Sequence, residues 1–404
     1  MKKLALVFIL ALTVIALSAC GGKTKTLQML WWSDGTEGDV MQTLLDDYEE
    51  ETGVVIELVT IPYDDYETRL ATMISGGEAP ALARVTEGHL NNFKDNILAL
   101  DDVYTTSGFT NLFYNSDDEV ISLPMDITAN GMFVNTTLLD TYLVDYPELG
   151  DDVWTWDEFE VEMMKLDGQT GVASPGLMDP KAHRMMPLFY QGGVEIWNTP
   201  YSSSNLTSQA AVDVVEMVMG FYDSGLFAAE PYAGSNAANL FKTGEYGFHI
   251  SGNWNVSGYQ DITAFDWAVV PMPEGTNRGT ILGGKSLAAF DNSGTEDEAT
   301  DFIAWMAEGE QHDAFTGGVP YLTPRLGATV AYGDFADEYA VFLDEIANTD
   351  AKYVQDWLSQ VMIPGMYPII NDFAADCADP TNTMTALELL TQLELDLKAA
   401  APTE

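Results

Sequence analysis

Apolar residues recur along the chain with two alternating periods, which predict strands and helices in turn. The run from Thr26 to Trp32 is strand-like, and apolar positions 40, 41, 44, 45 and 48 then share one face of a helix that ends before Gly53. Val54 to Thr60 predicts a second strand, and positions 66, 70, 73 and 74 predict a second helix. This alternation predicts an α/β fold with mostly parallel sheets covered by helices.

Two Thr-x-x-Glu sequences predict helix starts further along the chain. Thr155 to Glu158 opens a helix that runs through Leu166, and Thr295 to Glu298 opens another. Positions 212, 215, 219 and 222 predict one more helix, 265–270 a buried strand, and 387, 390, 393 and 397 the packed face of a last helix. Because no repeat or long linker divides the chain, we expect two lobes that share several crossovers.

The first twenty residues are organised like a bacterial lipoprotein signal. Two lysines precede an apolar stretch, and Leu17-Ser18-Ala19-Cys20 resembles the lipobox in which the cysteine is lipidated and becomes the mature N-terminus. The alternative is a transmembrane anchor, but the stretch is shorter than the about 20 residues that a spanning helix needs. We therefore predict that residues 1–20 are a signal peptide, and that a lipid on Cys20 tethers the protein to the membrane at the cell surface or in the periplasm.

Charge and cysteine content narrow the class further. The chain has 63 Asp and Glu against 16 Lys and Arg, a formal charge of −47. Binding to nucleic acid or to anionic lipid needs clustered cations, so neither is expected. An acidic surface is tolerated where salt screens its repulsion, which suggests a saline habitat as a hypothesis. Lipidation of Cys20 would leave Cys377 as the only thiol, so no intrachain disulfide is expected.

Familiar catalytic and cofactor motifs are absent from the sequence. The four histidines are isolated, and no metal-ligand spacing, phosphate loop, dinucleotide motif or nucleophile elbow is present. No metal and no cofactor are therefore expected. A carboxylate pair for glycoside hydrolysis stays open, because among 63 acids no pair stands out.

An ordered set of short motifs carries a family resemblance from about Leu27 to the C-terminus. The motifs are Trp31-Trp32, Glu50-Glu51-Thr52-Gly53, Met73-Ile74-Ser75-Gly76-Gly77-Glu78-Ala79-Pro80, Ser122-Leu123-Pro124, Asn130-Gly131-Met132-Phe133-Val134-Asn135, Trp154-Thr155-Trp156-Asp157-Glu158, Ile250-Ser251-Gly252-Asn253-Trp254, Val270-Pro271-Met272-Pro273, Gly283-Gly284-Lys285-Ser286-Leu287 and Gly317-Gly318-Val319-Pro320. With these the chain resembles the extracellular solute-binding proteins of carbohydrate-importing ABC transporters, the group that includes maltose-binding protein.

The resemblance implies a fold, a task and a partner. It implies a two-lobed periplasmic-binding-protein fold with the ligand in the cleft between the lobes. The N-terminal lobe would comprise 21–128 plus 275–322 and the C-terminal lobe 129–274 plus 323–404, with crossings near 125–130, 271–277 and 320–326. It also implies a monomer that captures a carbohydrate, such as an oligosaccharide, and delivers it to an ABC permease without catalysis.

A sugar site needs flat aromatic rings for stacking and fixed polar groups for its hydroxyls, and several residues meet that description. Trp254 follows Gly252 at a strand end, and the resemblance implies that it stacks on the sugar; the alternative is a core tryptophan. Trp31 and Trp32 should face opposite sides of their strand, with Trp32 nearer the cleft. Asn130 would bond a hydroxyl. Trp357 and Tyr367 are secondary candidates at the cleft mouth in some relatives.

Gly284 and several charged residues complete the candidate site. Gly284 is a place where the backbone approaches a ligand or a neighbouring strand, or a plain turn. The resemblance also brings Arg84 with Glu87, the 181–184 segment with His183, Lys285 and Arg325 to the cleft. Cations there would suit a uronate or sulfated sugar. The alternative is that they pair with neighbouring acids.

Three other functions remain open from the sequence. The same fold could bind a non-sugar solute such as a polyamine or a phosphorylated polyol. A secreted carbohydrate-active enzyme would need two carboxylates facing each other across a pocket. An adhesin or structural surface lipoprotein would have no closed cleft.

Overall fold

The computed structural model describes residues 26–401 except 33–35, 200, 320, 362 and 364. The proposed signal peptide and Cys20 lie outside the described residues. The strands are β1 (Thr26–Trp31), β2 (Val55–Thr60), β3 (Leu82–Thr86), β4 (Leu123–Pro124), β5 (Asn130–Asn135), β6 (Ser174–Met178), β7 (Trp197–Thr199), β8 (Ser203–Ser204), β9 (Tyr246–Gly252), β10 (Trp267–Val270) and β11 (Lys285–Ala289).

Helices follow most of these strands. They are α1 (Glu37–Thr52), α2 (Tyr63–Ser75), α3 (Glu87–Phe93), α4 (Thr136–Thr141), α5 (Trp156–Met163), α6 (Ala182–Gln191), α7 (Gln209–Asp223), α8 (Ala237–Phe241), α9 (Val256–Tyr259), α10 (Glu296–Met306), α11 (Gly309–Gly318), α12 (Ala336–Ala347), α13 (Ala351–Val361), α14 (Met366–Ala378) and α15 (Ala386–Ala400). The predicted α/β fold is confirmed.

Two larger sheets organise the described chain. The first has five strands in the order β2-β1-β3-β11-β4, and the second has four in the order β10-β5-β9-β6. Trp31 and Trp32 lie on opposite sides of the first sheet, as predicted: Trp31 packs edge-on against Phe315 of α11, and Trp32 packs against Tyr66 of α2. Each face of this sheet therefore has its own apolar core.

The strands run in mixed directions, which corrects the prediction of mostly parallel sheets. In the first sheet β1 runs parallel to β2 and β3, but β11 runs antiparallel to both β3 and β4. In the second, β5 is antiparallel to β9 and β10, and only β6 and β9 are parallel among the described pairs. The strand–helix–strand pattern predicts direction only for consecutive units, whereas β11 enters the first sheet after a return from the second.

Helix starts and ends follow local sequence signals. Thr155 caps α5 with a complete capping box, in which its hydroxyl accepts from the Glu158 N–H and the Glu158 carboxylate accepts from the Thr155 N–H. Gly53 follows α1 with a φ of 75°, the left-handed conformation that glycine adopts without strain. Thr295 precedes α10 as predicted, but its side chain makes no cap hydrogen bond. Its backbone N–H instead bonds the Ser293 hydroxyl.

The last helix packs with most of the predicted face, and one of the four predicted leucines lies outside it. Leu390, Leu393 and Leu397 are buried as expected, but Leu387 is 48% exposed and Leu389 is buried in its place. Positions 386, 389, 390, 393 and 397 form one continuous face at the helical period, and that face packs on α14 and α7. Leu387 lies about a third of a turn away from this face.

Three segments of the chain connect the two sheets, and two of these segments lie next to each other. Ile127, between β4 and β5, forms an antiparallel bridge with Leu322, and the adjacent Thr128 forms one with Gly283. The predicted crossings near 125–130 and 320–326 thus touch each other. In the remaining crossing, Asn277 bonds the Gln191 backbone and Thr280 bonds Asn130, so residues as far as 280 contact the second sheet's side. The lobe boundaries stay a prediction.

Candidate functional site

Strand ends of both sheets converge on one cluster of side chains. Lys285 begins β11 directly opposite Thr86, the last residue of β3, and Glu87 follows as the first residue of α3. Across from them, Asn130 begins β5 opposite Gly252, which ends β9. Ligands in open α/β sheets bind outside the carboxyl ends of strands, so this convergence is the candidate site.

Four aromatic rings form the wall of the site. His183 stacks on Tyr367 with a centroid distance of 5.0 Å and an interplanar angle of 19°. Its ring also lies 5.6 Å from that of Trp357 and 6.5 Å from that of Trp254. Trp254, His183 and Tyr367 are partly exposed, whereas Trp357 is fully buried. These four residues are called the aromatic wall below.

Gly252 positions the Trp254 ring. A Cβ atom at Gly252 would stand 1.9 Å from the ring of Trp254, so any larger residue would displace the indole. Glycine lets the ring fold back over the strand end. The sequence Gly252-Asn253-Trp254 therefore fixes the ring at the meeting point of the sheets.

Lys285 belongs to a buried ion pair beside the aromatic wall. Its Nζ lies 3.3 Å from Asp126 Oδ2, and its backbone N–H donates to Asp126 Oδ1 at 2.8 Å. The ammonium also lies 5.8 Å from the Trp254 ring centroid and 4.8 Å from that of Tyr321. Gly284 permits this arrangement, since a Cβ there would stand 2.4 Å from the Asp126 carbonyl oxygen. The close approach at Gly284 is thus to a neighbouring segment of this chain.

Arg184 forms a second cation pair next to Trp254. Its guanidinium carbon lies 4.8 Å from the Trp254 ring centroid, a distance typical of cation–π contacts. Nη2 lies 3.5 Å from Asp179 Oδ2 and 3.1 Å from the Ser251 hydroxyl. Trp254 is therefore held between two paired cations, Arg184 and Lys285.

Arg84 and Trp32 form a buried group of their own, outside the aromatic wall. Arg84 is 1% exposed, and its Nη1 lies 2.9 Å from the buried carboxylate of Glu37. The guanidinium carbon lies 4.5 Å from the Trp32 ring centroid, and Nη1 also donates to the Trp32 carbonyl. Trp32 itself is 2% exposed and contacts Tyr63 and His89. The structure therefore places both candidates in a packed layer of polar and aromatic residues.

Arg325 lies apart from this cluster. Its Nε donates to Asp313 Oδ1 at 2.9 Å, and its backbone bridges to Phe109. Asp313 belongs to α11, which packs on α1 at the far side of the first sheet from the wall. The structure does not bring Arg325 together with the other candidates.

Burial shifts the protonation of two groups at the centre of the site. It raises the pKa of Glu87 to about 7, and the nearby carboxylate of Asp126 adds to the rise. The backbone N–H groups of Glu87 and Gly284 and the Lys285 ammonium oppose it. Burial also lowers the pKa of His183 to about 3, with Arg184 and Lys285 acting in the same direction. The His183 imidazole is therefore neutral at physiological pH.

Most of the sequence-derived candidates meet here. Those that the structure brings together are Trp254, Asn130, Glu87, His183, Gly284, Lys285, Trp357 and Tyr367. Sequence reasoning missed Asp126 and Tyr321 as site residues, whereas it counted Arg184 among the cations that the resemblance brings to the cleft. Asp126 and Tyr321 both lie in segments that were predicted to cross between the lobes. Their position in these crossing segments was the signal in the sequence that could have identified them as site residues.

The described residues show no group of His, Cys, Asp and Glu that could hold a metal ion. Within the same described ranges, no helix is long and apolar enough to cross a membrane.

Comparison with known proteins identifies the family. The model for bacterial extracellular solute-binding proteins matches residues 43–340, about three quarters of the chain. The chain belongs to this family. Its members are extracellular proteins, and this solute-binding protein therefore acts outside the cytoplasmic membrane. No curated protein sequence matches it significantly.

Solved structures share the two-lobed fold of this solute-binding protein. An ABC substrate-binding protein from Listeria monocytogenes, in complex with cycloalternan, aligns with a TM-score of 0.78 at 16% identity over 93% of this chain and 98% of that chain. Maltose-bound MalE3 of T. maritima aligns with a TM-score of 0.77 at 16% identity, covering 93% and 99%. UgpB of Mycobacterium tuberculosis, in complex with glycerophosphocholine, aligns with a TM-score of 0.76 at 17% identity, covering 92% and 97%. At these identities the likeness shows the fold alone.

Proposed function

We propose that this solute-binding protein captures a carbohydrate, such as an oligosaccharide, between its lobes and delivers it to an ABC permease. It acts as a monomer without catalysis or cofactor, and a lipid on Cys20 tethers it to the membrane. The N-terminal lobe comprises 21–128 plus 275–322, and the C-terminal lobe 129–274 plus 323–404. Contacts of residues 277–280 with the second sheet favour placing the middle boundary a few residues later.

The observation that carries the proposal is the aromatic wall at the convergence of the two sheets. A pyranose ring has apolar C–H faces that stack on aromatic rings and a rim of hydroxyls that needs fixed polar groups. Trp254 and Tyr367, which are partly exposed, offer aromatic rings for stacking. The polar groups that could bond hydroxyls are those of Glu87, Asn130 and Lys285. The structural relatives bound to cycloalternan and maltose support the same class of ligand.

The choice between a neutral and an anionic sugar depends on the cations. Arg84, Arg184 and Lys285 each lie against a carboxylate of this chain, namely Glu37, Asp179 and Asp126. This pairing favours the alternative in which the cations balance neighbouring acids. A non-sugar solute remains the second candidate, because the M. tuberculosis relative with the same fold binds glycerophosphocholine.

A thermal-shift screen tests the function. A soluble form that begins after Cys20 keeps every described residue. It is melted with neutral oligosaccharides, with uronate and sulfated oligosaccharides, and with glycerophosphocholine. A ligand that binds only the folded state raises the Tm, because binding adds to the free energy of unfolding. At a ligand concentration a hundredfold above Kd, the added free energy is about 2.7 kcal/mol. We expect at least one saccharide to raise the Tm.

Trp254→Ala should abolish that shift because it removes the central ring of the wall. Trp305→Ala is the matched control, since Trp305 lies on α10 and bonds Glu51 far from the site. Chromatography of the same mixtures should show the saccharide unchanged. A shift with glycerophosphocholine alone would replace the sugar with the second candidate, and cleavage products would identify an enzyme.

A further inference from the structure

Five buried polar atoms in the site have no hydrogen-bond partner among the described residues. They are Oε1 of Glu87, Oδ1 of Asn130, Nε1 of Trp357, the hydroxyl of Tyr367 and, beside Trp254, Nε of Arg184. Native proteins pair nearly all of their buried polar groups, so each such atom calls for an explanation. Four of them in contacting residues indicate a place where another molecule completes the hydrogen bonds.

The first four of these residues form one connected group. The Tyr367 ring lies against the backbone of Gly88, where a Cβ would stand 2.9 Å from it, and Gly88 directly follows Glu87. Tyr367 and Trp357 have ring centroids 6.1 Å apart, and both contact His183. The side-chain amide of Asn130 donates to the His183 carbonyl, which leaves its Oδ1 as the unpaired atom. Residues from both sheets therefore contribute.

Helix α13 carries another buried side chain whose polar atoms have no hydrogen-bond partner among the described residues. Gln360 lies three positions after Trp357, which places both on one side of the helix. It is fully buried, and neither its Nε2 nor its Oε1 has a hydrogen-bond partner within the described chain. Helix α13 packs against α3, the helix that Glu87 begins. The helix that carries Trp357 of the aromatic wall thus also carries the unpaired amide of Gln360.

The chemistry of the unpaired atoms restricts the ligand. Asn130 Oδ1 accepts hydrogen bonds, Glu87 Oε1 accepts when ionised, Trp357 Nε1 donates, and the Tyr367 hydroxyl does both. An anionic group would therefore meet two acceptor oxygens. The nearest cations, Lys285 and Arg184, already lie against Asp126 and Asp179. Hydroxyl groups, which both donate and accept, match the whole set.

We propose that Glu87, Asn130, Trp357 and Tyr367 form a hydrogen-bonding subsite that selects a neutral, hydroxyl-rich ligand against its uronate or sulfated counterpart. The proposal rests on the proposed carbohydrate function and identifies the residues that determine its specificity. Tyr367 and Trp357 bond ring hydroxyls, and Glu87 repels an acidic substituent at the same place.

Isothermal titration at pH 8 tests the subsite with matched probes. Maltotriose, cellotriose, xylotriose and galactotriose are compared with trigalacturonate and a sulfated galactotriose. We expect the wild-type protein to bind a neutral member at least tenfold more tightly than either anionic probe. Tyr367→Phe should raise the Kd for that neutral sugar by about two- to tenfold, the range for one neutral hydrogen bond.

Two further variants separate ligand binding from structure. Tyr339→Phe is the matched control, because Tyr339 is also a buried tyrosine whose hydroxyl has no partner among the described residues, but it stacks on Tyr332 and is not one of the four subsite residues. It should leave the Kd unchanged. Glu87→Gln keeps the side-chain shape and removes the charge, so it should reduce the discrimination against the uronate probe at least threefold.

Each outcome decides the proposal. Equal effects of Tyr367→Phe and Tyr339→Phe, or unchanged discrimination in Glu87→Gln, would overturn the subsite and leave the carbohydrate function standing. Tighter binding of trigalacturonate than of any neutral sugar would do the same. Absence of binding to every saccharide would overturn the subsite and the proposed function together.

Discussion

Glu87 is buried, and its Oε1 has no hydrogen-bond partner among the described residues, so its ionisation should give a measurable pH effect on stability. Burial raises its pKa from 4.5 to about 7 in the folded protein. Between these two values the folded state holds a proton that the unfolded state has lost, so the contribution of Glu87 to the free energy of unfolding falls as pH rises. Above pH 7 the folded protein carries a buried charge at this position.

We expect Glu87→Gln to gain stability over the wild-type protein as pH rises from 5 to 8. The gain at pH 8 should be on the order of 3 kcal/mol if the whole pKa shift is expressed. Urea denaturation of both proteins at each pH measures the difference in free energy of unfolding. The comparison with wild type is needed because desolvation lowers the pKa of all four histidines, whose contribution changes with pH in the opposite direction.

A matched control is available at Glu345. Its pKa is also raised by burial, but Arg278 lies 2.7 Å away and opposes the rise. Glu345→Gln breaks that ion pair and should destabilise the protein across the range. A constant difference between Glu87→Gln and wild type from pH 5 to 8 would contradict the raised pKa of Glu87.

At the same scale, the sequence predicted members of the candidate site but not their pairing. Trp254 could be chosen because it follows a glycine at a strand end, and Lys285 because the family resemblance brings its segment to the cleft. Their partners could not be chosen, since Asp126 is 159 residues from Lys285 along the chain and 63 acids compete for that role. Only the antiparallel register of β11 and the crossing after β4 brings that pair together.

Among the elements, the capping boxes show how far a local motif determines local structure. Thr155 forms its box and Thr295 does not, although both precede x-x-Glu. Thr155→Ala should lower the free energy of unfolding by about 1 kcal/mol, the usual cost of an N-cap hydrogen bond. Thr295→Ala should cost clearly less, because it removes only the contact between the Thr295 and Ser293 hydroxyls and keeps the backbone hydrogen bond. Chemical denaturation measures both, and equal losses would show that the Thr155 box contributes nothing specific.

Element order and type could be predicted from periodicity, whereas strand direction and the exposed position of Leu387 could not. Helices α1, α5 and α7 begin and end near the predicted residues because caps and glycines act over a few positions. The direction of β11 depends on the route of the chain between lobes, which no local pattern encodes. Leu387 shows that periodicity does not decide which leucines of a helix are buried. Helix α15 buries the residues that face α14 and α7, and Leu387 is not among them.

At the scale of the whole molecule, the candidate site lies where the two sheets meet and is formed by residues from both. Glu87 and Lys285 come from the first sheet, His183 and Trp254 from elements around the second, and the crossings at Ile127 and Leu322 join them. A ligand that completes the unpaired hydrogen bonds would contact both sides at once. Its binding energy would therefore favour the arrangement in which the lobes are together, which fits the proposed delivery of a loaded state to a permease.

The charge of −47 acts on this two-lobed body as a whole. Repulsion among surface acids lowers stability, and salt shortens its range from about 10 Å at 0.1 M to about 3 Å at 1 M. We therefore expect the Tm to rise as NaCl increases over that range. A Tm that fell on addition of salt would contradict the saline-habitat hypothesis.

Two exposed acids separate this general repulsion from local effects. Glu50 lies in the last turn of α1, which has no basic residue, and Asp157 lies in the first turn of α5. Both variants, Glu50→Gln and Asp157→Asn, remove one negative charge. Because helix dipoles disfavour an acid at the C-terminal end and favour one at the N-terminal end, Glu50→Gln should raise the Tm at low salt and Asp157→Asn should not. Near 1 M NaCl the screening length is about 3 Å, so the Tm values of the two variants should converge. A difference in Tm that persisted at this salt concentration would have its cause in packing.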